Sequence, residues 1–148
     1  MTMLPKVSSV CVLAIVALLC GFRAPEGGIP TGAKILATGT FHGKVHHTSG
    51  RATLYEESDG RRILRLTNFK TSNGPDVHVV LIALKDAGDD ANFLKSDTEY
   101  VELGKLKGNE GDQNYEIPAG TDLNKYHAAS IYCERFNANF GTAPLEKF

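Results

Sequence analysis

The sequence lacks several features that mark specialised classes of protein. It has no tryptophan, only three cysteines in 148 residues, and a formal net charge of -1. Three cysteines are few for a disulfide scaffold, and a near-neutral charge excludes a strongly basic nucleic-acid binder. The chain is 42% hydrophobic and 22% charged, so it is not a disordered polymer. Its length suits one domain.

The apolar run near the N-terminus is too short to span a membrane. Residues 10–19 are apolar and residues 20–22 extend them, giving about 13 residues where a spanning helix needs about 20. Lys6 precedes the run, and no acidic residue occurs before position 25. This arrangement is typical of a secretory signal. We therefore expect residues 1–22 to be a signal peptide or anchor, and the protein to reach the periplasm or cell envelope. Membrane contact is expected only through this segment.

Export changes the cysteine count of the folded part. Residues 17–20 resemble a lipoprotein cleavage box, although Leu19 stands where a small residue is preferred, so Cys20 is a candidate for lipidation. Cleavage without a lipid and an uncleaved anchor are the alternatives. Cys11 lies inside the signal, which leaves Cys133 alone in the mature domain. Residues 23–33 are rich in proline and glycine and predict a linker, so the folded domain is expected over residues 34–148.

No segment keeps a helical period for more than about two turns, whereas turn signals separate many short apolar stretches. The pattern predicts strands at residues 35–41, 51–57, 61–69, 76–84, 100–106, 113–117, 128–133 and 143–147. Asp59-Gly60 predicts a two-residue hairpin turn, and the apolar run over 76–84 predicts a central strand. The fold class is therefore all-β, as an antiparallel sandwich or closed barrel.

The sequence also lacks the common signatures of catalytic and cofactor sites. It has no Cys-x-x-Cys-His, His-Glu-x-x-His, Walker or Gly-x-Ser-x-Gly motif. No histidine follows Cys133, which argues against a standard cupredoxin. Asp86, Asp89 and Asp90 lack the spacing of a calcium hand and favour a solvated loop. A stand-alone enzyme is therefore not expected, and a hydrolase least of all.

Cys133 is the first candidate for chemistry, with two interpretations. On a strand it shares a face with Ala129 and Ile131, which favours a buried apolar filler. The functional alternative is a redox-active thiol or a cofactor ligand. Tyr132 precedes it and either assists electron transfer or packs in the sandwich.

The histidines are the other candidates. His42 and His46 point to one side of an extended segment and could bind a metal, or they are polar residues of an exposed strand. His78 shares a face with Asp76 within the most apolar strand. That carboxylate could orient the imidazole for cofactor ligation, and a satisfied core histidine is the alternative.

Several stretches in order resemble one family. They are Gly39-Thr-Phe-His-Gly43, Leu64-Arg-Leu-Thr-Asn-Phe69, Asn73-Gly-Pro-Asp-Val-His-Val79, Leu103-Gly-Lys-Leu-Lys-Gly-Asn109, Gln113-Asn-Tyr-Glu-Ile-Pro118, Ser130-Ile-Tyr-Cys-Glu-Arg-Phe136 and Phe140-Gly141. Together they resemble the DM-thirteen domain, the Skeletor-type "electron transfer" domain, over residues 34–147 and in the form of a bacterial exported member. The resemblance implies a single β-sandwich domain similar to the DOMON and jelly-roll sandwiches.

The resemblance also implies a redox role for the family's single cysteine, which corresponds to Cys133. That residue would act as a thiol or as a ligand to a haem or metal. Our first hypothesis is therefore an exported redox domain that meets a redox partner of the envelope. The second is a non-catalytic binding or adhesion module in which Cys133 is structural.

Overall fold

The computed structural model describes residues 26–148, which form two antiparallel β-sheets. The expected signal peptide over residues 1–22 and the lipidation candidate Cys20 lie outside the described residues. Within residues 26–148, no helix has the length and apolar character to cross a membrane. The strands are β1 (Lys34–Thr40), β2 (Ser49–Glu56), β3 (Arg62–Lys70), β4 (Val77–Ile82), β5 (Tyr100–Lys105), β6 (Gln113–Glu116), β7 (Ala128–Cys133), β8 (Ala138–Pro144) and β9 (Glu146–Lys147).

The sheets stack as a sandwich, which confirms the predicted fold class. One sheet has the strand order β6-β3-β2-β1-β9, and the other has the order β5-β4-β7-β8. Side chains from both sheets form one apolar core, with Leu54, Leu64 and Leu66 from the first and Val79 and Ile131 from the second. Alternating strand residues face this core, as expected for a two-layer β protein.

β4 is the central strand that its apolar run predicts, and all six of its residues are buried. Val79 and Leu81 face the core between the sheets. Val80 and Ile82 face the other way and pack with Phe93, which lies in a 3₁₀ turn over Phe93–Lys95. Both faces of the strand are therefore covered, one by the other sheet and one by the loop between β4 and β5.

The predicted hairpin exists, but its turn is longer than the sequence suggested. Glu57 N–H donates to Arg61 O at 2.8 Å, so the loop contains three residues, 58–60, instead of two. Gly60 has a φ of 87°, a conformation that favours glycine. A turn that ends in such a residue is the usual three-residue hairpin loop, and Asp-Gly is compatible with both lengths.

One strand begins earlier than the sequence predicts. β8 (Ala138–Pro144) was predicted only from residue 143, because asparagine, glycine and proline are poor strand formers. The described part of the expected linker is held to the first sheet. Arg65 donates to Gly27 O at 2.7 Å, and Glu26 pairs with Lys107 at 2.6 Å.

Candidate functional site

Cys133 is the last residue of β7, and it is fully buried. Its exposed fraction is 0%, and it packs in the apolar core with Val77, Ile131 and Phe140. It forms no disulfide with another described residue. The next four residues, 134–137, form the turn to β8, and Glu134 and Arg135 are exposed. The thiol is therefore inaccessible to solvent in this conformation, although the residues that directly follow Cys133 in the sequence are exposed.

His78 lies at the same end of the second sheet but on its other face. In the register of β4 and β7, Val77 pairs with Cys133 and His78 pairs with Tyr132. Val77 and Cys133 face the core, whereas Tyr132 packs with the outer cluster around Phe93. The sheet thus separates the thiol from the imidazole. The expected cofactor set of Cys133, His78, Asp76 and Tyr132 is divided between two faces.

Three carboxylates surround the His78 ring. Nδ1 lies 2.5 Å from Glu102 Oε1, and Nε2 lies 3.0 Å from Asp76 Oδ1. Nε2 also lies 4.0 Å from Glu134 Oε2. The side chain of His78 is 7% exposed, while those of Asp76 and Glu134 are 28% and 44% exposed. The cluster is therefore a buried ring with acidic groups that open to solvent.

The charges in this cluster support one another. Burial alone lowers the pKa of His78, but hydrogen bonds to Glu102 and Asp76 outweigh it and leave the pKa above its ordinary value. The same hydrogen bond from His78 holds the pKa of Asp76 below its usual range, with Lys105 adding to the effect. Because carboxylates only accept, hydrogen bonds from both ring nitrogens require the imidazolium form.

Tyr132 extends from β7 into the layer of side chains that covers the outer face of the second sheet. Its hydroxyl donates to Asn92 Oδ1 at 3.1 Å, and its ring centroid lies 4.9 Å from that of Phe93. Burial raises the pKa of its hydroxyl above the ordinary value. These contacts fasten the loop between β4 and β5 to the sheet.

His42 and His46 bind separate aspartates of that loop. His42 Nε2 lies 2.6 Å from Asp86 Oδ1, and His46 Nε2 lies 2.8 Å from Asp90 Oδ1. The His46 ring also stacks on Phe140, with centroids 3.7 Å apart and planes 7° from parallel. These contacts join the loop between β4 and β5 to the segment after β1, and the side chains of Asp86 and Asp90 stay about half exposed, as expected of a solvated loop. These two histidines engage different acids, so the structure does not gather them into one donor set.

Four cavities among residues 26–148 lack the usual axial ligands of a haem. The four of them have volumes between about 190 and 450 Å³. No histidine or methionine, the usual axial ligands of electron-transfer haems, lines any of the four. The donor set around His78 suits an ion better than a macrocycle.

The family model described as "Electron transfer DM13" matches residues 40–145, which is most of the folded domain. The chain belongs to the DM13 electron transfer family. No curated protein and no solved structure matches the chain. The DM13 match covers both Cys133 and the His78 cluster, so family membership points to an electron-transfer role without choosing between them.

Sequence reasoning paired Asp76 with His78 but missed Glu102 and Glu134. Glu102 reaches the ring from β5, and a bulge between Val79 and Val80 shifts the register of that strand pair. Such a shift is not visible in a single sequence. The sequence offered one signal for Glu134, which is that an acid directly follows Cys133 at the end of its strand.

Proposed function

We propose that this DM13 protein is an exported electron-transfer domain, and that Cys133 is the residue through which it exchanges electrons with an envelope partner. Family membership supports the electron-transfer role. The assignment of this role to Cys133 rests on the position of that residue. It is the single cysteine among residues 26–148, and it ends a buried strand just before an exposed turn.

Full burial sets a condition on how such a thiol reacts. In the folded conformation no partner atom can reach Sγ, so the turn over residues 134–137 has to open first. Local opening of a surface turn requires less free energy than global unfolding. Burial shields the thiol while the turn is closed, and a partner that binds the open turn gains access to it.

The chemistry proposed after opening is thiol–disulfide exchange. The Cys133 thiolate attacks one sulfur of a partner disulfide, and the partner's other sulfur leaves as a thiolate. The product is a mixed disulfide, in which the electron pair from Cys133 has reduced one partner sulfur. A separate dithiol reductant of the envelope then attacks the Cys133 sulfur, which releases the partner as a dithiol. The second thiol of that reductant closes its own disulfide and frees the Cys133 thiolate. No haem enters this scheme, since none of the four cavities described above offers a histidine or methionine ligand.

The test measures whether folded protein forms this mixed disulfide. The full chain, with Cys11→Ser and Cys20→Ser so that Cys133 is the one reactive thiol, is incubated with oxidised glutathione and weighed intact. We expect one glutathione adduct, formed at a rate that stops rising with glutathione once turn opening limits it. Cys133→Ala in the same background is the control and forms no adduct. A thiol that reacts only when urea unfolds the domain overturns the proposal.

A second candidate function is a non-catalytic binding module of the envelope. The observation that favours it is the packing of Cys133 among apolar side chains, where free cysteine often serves as a small hydrophobe. Under this alternative, Cys133→Ala lowers the free energy of unfolding but leaves partner binding intact. Loss of partner reduction with retained folding in that variant argues against the binding module and for the redox domain.

A further inference from the structure

We propose that Asp76, His78 and Glu134 bind a divalent transition-metal ion, with Glu102 orienting the imidazole. Each of the three offers a donor atom, and these atoms all lie within 4.8 Å of one another. In the described part of the chain no other group of three such side chains meets this spacing. The site goes beyond the function proposed for Cys133, because the thiol lies on the other face of the sheet and takes no part in it.

The spacing of the donors fits one ion. His78 Nε2 lies 3.0 Å from Asp76 Oδ1 and 4.0 Å from Glu134 Oε2. Donor atoms bound to one ion at about 2.1–2.4 Å are themselves about 3.0–4.8 Å apart, depending on whether they are adjacent or opposite. To share an ion, the three atoms need only small side-chain rotations and the release of the Nε2 proton of His78 to solvent. Both carboxylates are partly exposed and have room to rotate.

Glu102 supplies a second, independent observation. Histidines that bind metals usually donate their other ring N–H to a carboxylate, which fixes the ring and makes the bound nitrogen more basic. His78 has this arrangement, with Nδ1 2.5 Å from Glu102 Oε1 and Nε2 facing the other two acids. In this cluster the buried ring directs one nitrogen at an orienting acid and the other at two solvent-exposed acids. A purely structural ion-pair cluster does not need that division.

The donor types indicate the class of ion. One imidazole nitrogen and two carboxylate oxygens suit Mn²⁺, Fe²⁺, Co²⁺ or Zn²⁺ better than the all-oxygen sites of Ca²⁺ and Mg²⁺. No thiolate takes part, which disfavours ions that prefer soft ligands. Solvent can fill further positions, because Glu134 is 44% exposed. An ion with two oxidation states would give the domain an electron carrier of its own.

One cation competes with the ion for these acids. Lys105 Nζ lies 3.4 Å from Asp76 Oδ1, and its side chain is 77% exposed. It can turn into solvent when an ion binds. Removing its charge should therefore strengthen ion binding, whereas every substitution of a ligand should weaken it.

The experiment titrates the full chain with Co²⁺ and Mn²⁺ and follows binding by calorimetry, Co²⁺ absorption and Mn²⁺ electron paramagnetic resonance. We expect one ion per chain and at least a tenfold loss of affinity in Asp76→Asn or Glu134→Gln. Glu102→Gln should lose about 10–100-fold, and Lys105→Met should gain roughly fivefold. Glu146→Gln, an exposed acid in the other sheet, is the matched control and should leave affinity unchanged.

Both ligand variants replace partly or well exposed acids with isosteric amides, and circular dichroism confirms that each is folded. The proposal is overturned if Co²⁺ does not bind at millimolar concentration, or if folded Glu134→Gln binds as tightly as the unmodified chain. Either result leaves the glutathione experiment on Cys133 unaffected, and a thiol that stays inert does not alter the ion titration. The two proposals therefore fail separately.

Discussion

The guanidinium of Arg65 lies 2.7 Å from Asp112 Oδ2, and the Arg65 side chain is only 7% exposed. The same guanidinium donates to the Asn114 side chain at 3.0 Å and to Gly27 O at 2.7 Å. One buried cation thus joins β3, the strand beside it and the segment that precedes β1. A buried charge stays favourable only while its partners are present.

Arg65→Met should lower the free energy of unfolding by about 2–4 kcal/mol, because it removes the buried cation that pairs with Asp112 and also donates to Asn114 and Gly27 O. Lys70→Met is the control, since Lys70 and Glu110 form an exposed pair worth about 0–1 kcal/mol. Urea unfolding followed by circular dichroism measures both. Equal losses in the two variants would show that burial of the Arg65–Asp112 pair does not increase its contribution to the free energy of unfolding.

Cys133→Ser and Cys133→Ala should differ in stability, because the core around Sγ is apolar. The alanine variant loses a small volume and should cost about 1 kcal/mol. The serine variant buries a hydroxyl with no described partner and should cost a further 1–3 kcal/mol. Urea midpoints of the two variants check the order. A serine variant as stable as the unmodified chain would mean that water or a polar group reaches this position.

Asn139→Ala should loosen the loop between β4 and β5. The Asn139 amide donates to Gly88 O at 2.8 Å and accepts from Ser130 Oγ at 2.8 Å, with no solvent exposure. Its loss leaves buried groups unsatisfied and should cost about 1–3 kcal/mol. Hydrogen exchange at the Asp90 amide, which donates to Asn139 O, should accelerate. Exposed Asn124→Ala is the control, and unchanged exchange in Asn139→Ala would refute the role of the amide.

Alkaline pH should destabilise the domain through its buried tyrosines. Burial raises the pKa of both Tyr132 and Tyr55 above the ordinary value near 10. The unfolded chain therefore releases these protons first, so stability is complete below pH 10 and falls as pH rises beyond it. Urea midpoints across this range, with absorbance at 295 nm as the ionisation signal, measure the effect. Tyr132→Phe should reduce the slope, and an unchanged slope would assign the effect to other groups.

Local patterns predicted most of the fold. Alternation and turn residues located β2, β3, β4 and β7 to within a few residues, because those strands bury at least one continuous apolar face. β8 has no such pattern. It is a strand because it pairs with β7 and its polar Asn139 finds buried partners, and both conditions depend on tertiary contacts.

The site was predictable only where its members are close in sequence. Asp76 and His78 are two residues apart and share a face, as the period of a strand requires. Glu102 lies 24 residues further along, and the aspartates of His42 and His46 are each 44 residues away. Such pairs depend on strand order and loop closure, which composition and periodicity do not encode.

The single cysteine of residues 26–148 has a consequence for the compartments in which the sandwich can fold. No covalent cross-link joins any two residues of the described sandwich, whose cohesion comes from apolar packing, the sheet hydrogen bonds and buried pairs such as Arg65–Asp112. The sandwich of residues 26–148 therefore needs no internal disulfide to fold, whether the compartment is reducing or oxidising. With its thiol enclosed by the core, a folded copy is also protected from becoming covalently joined to a neighbour as long as the turn over residues 134–137 stays closed.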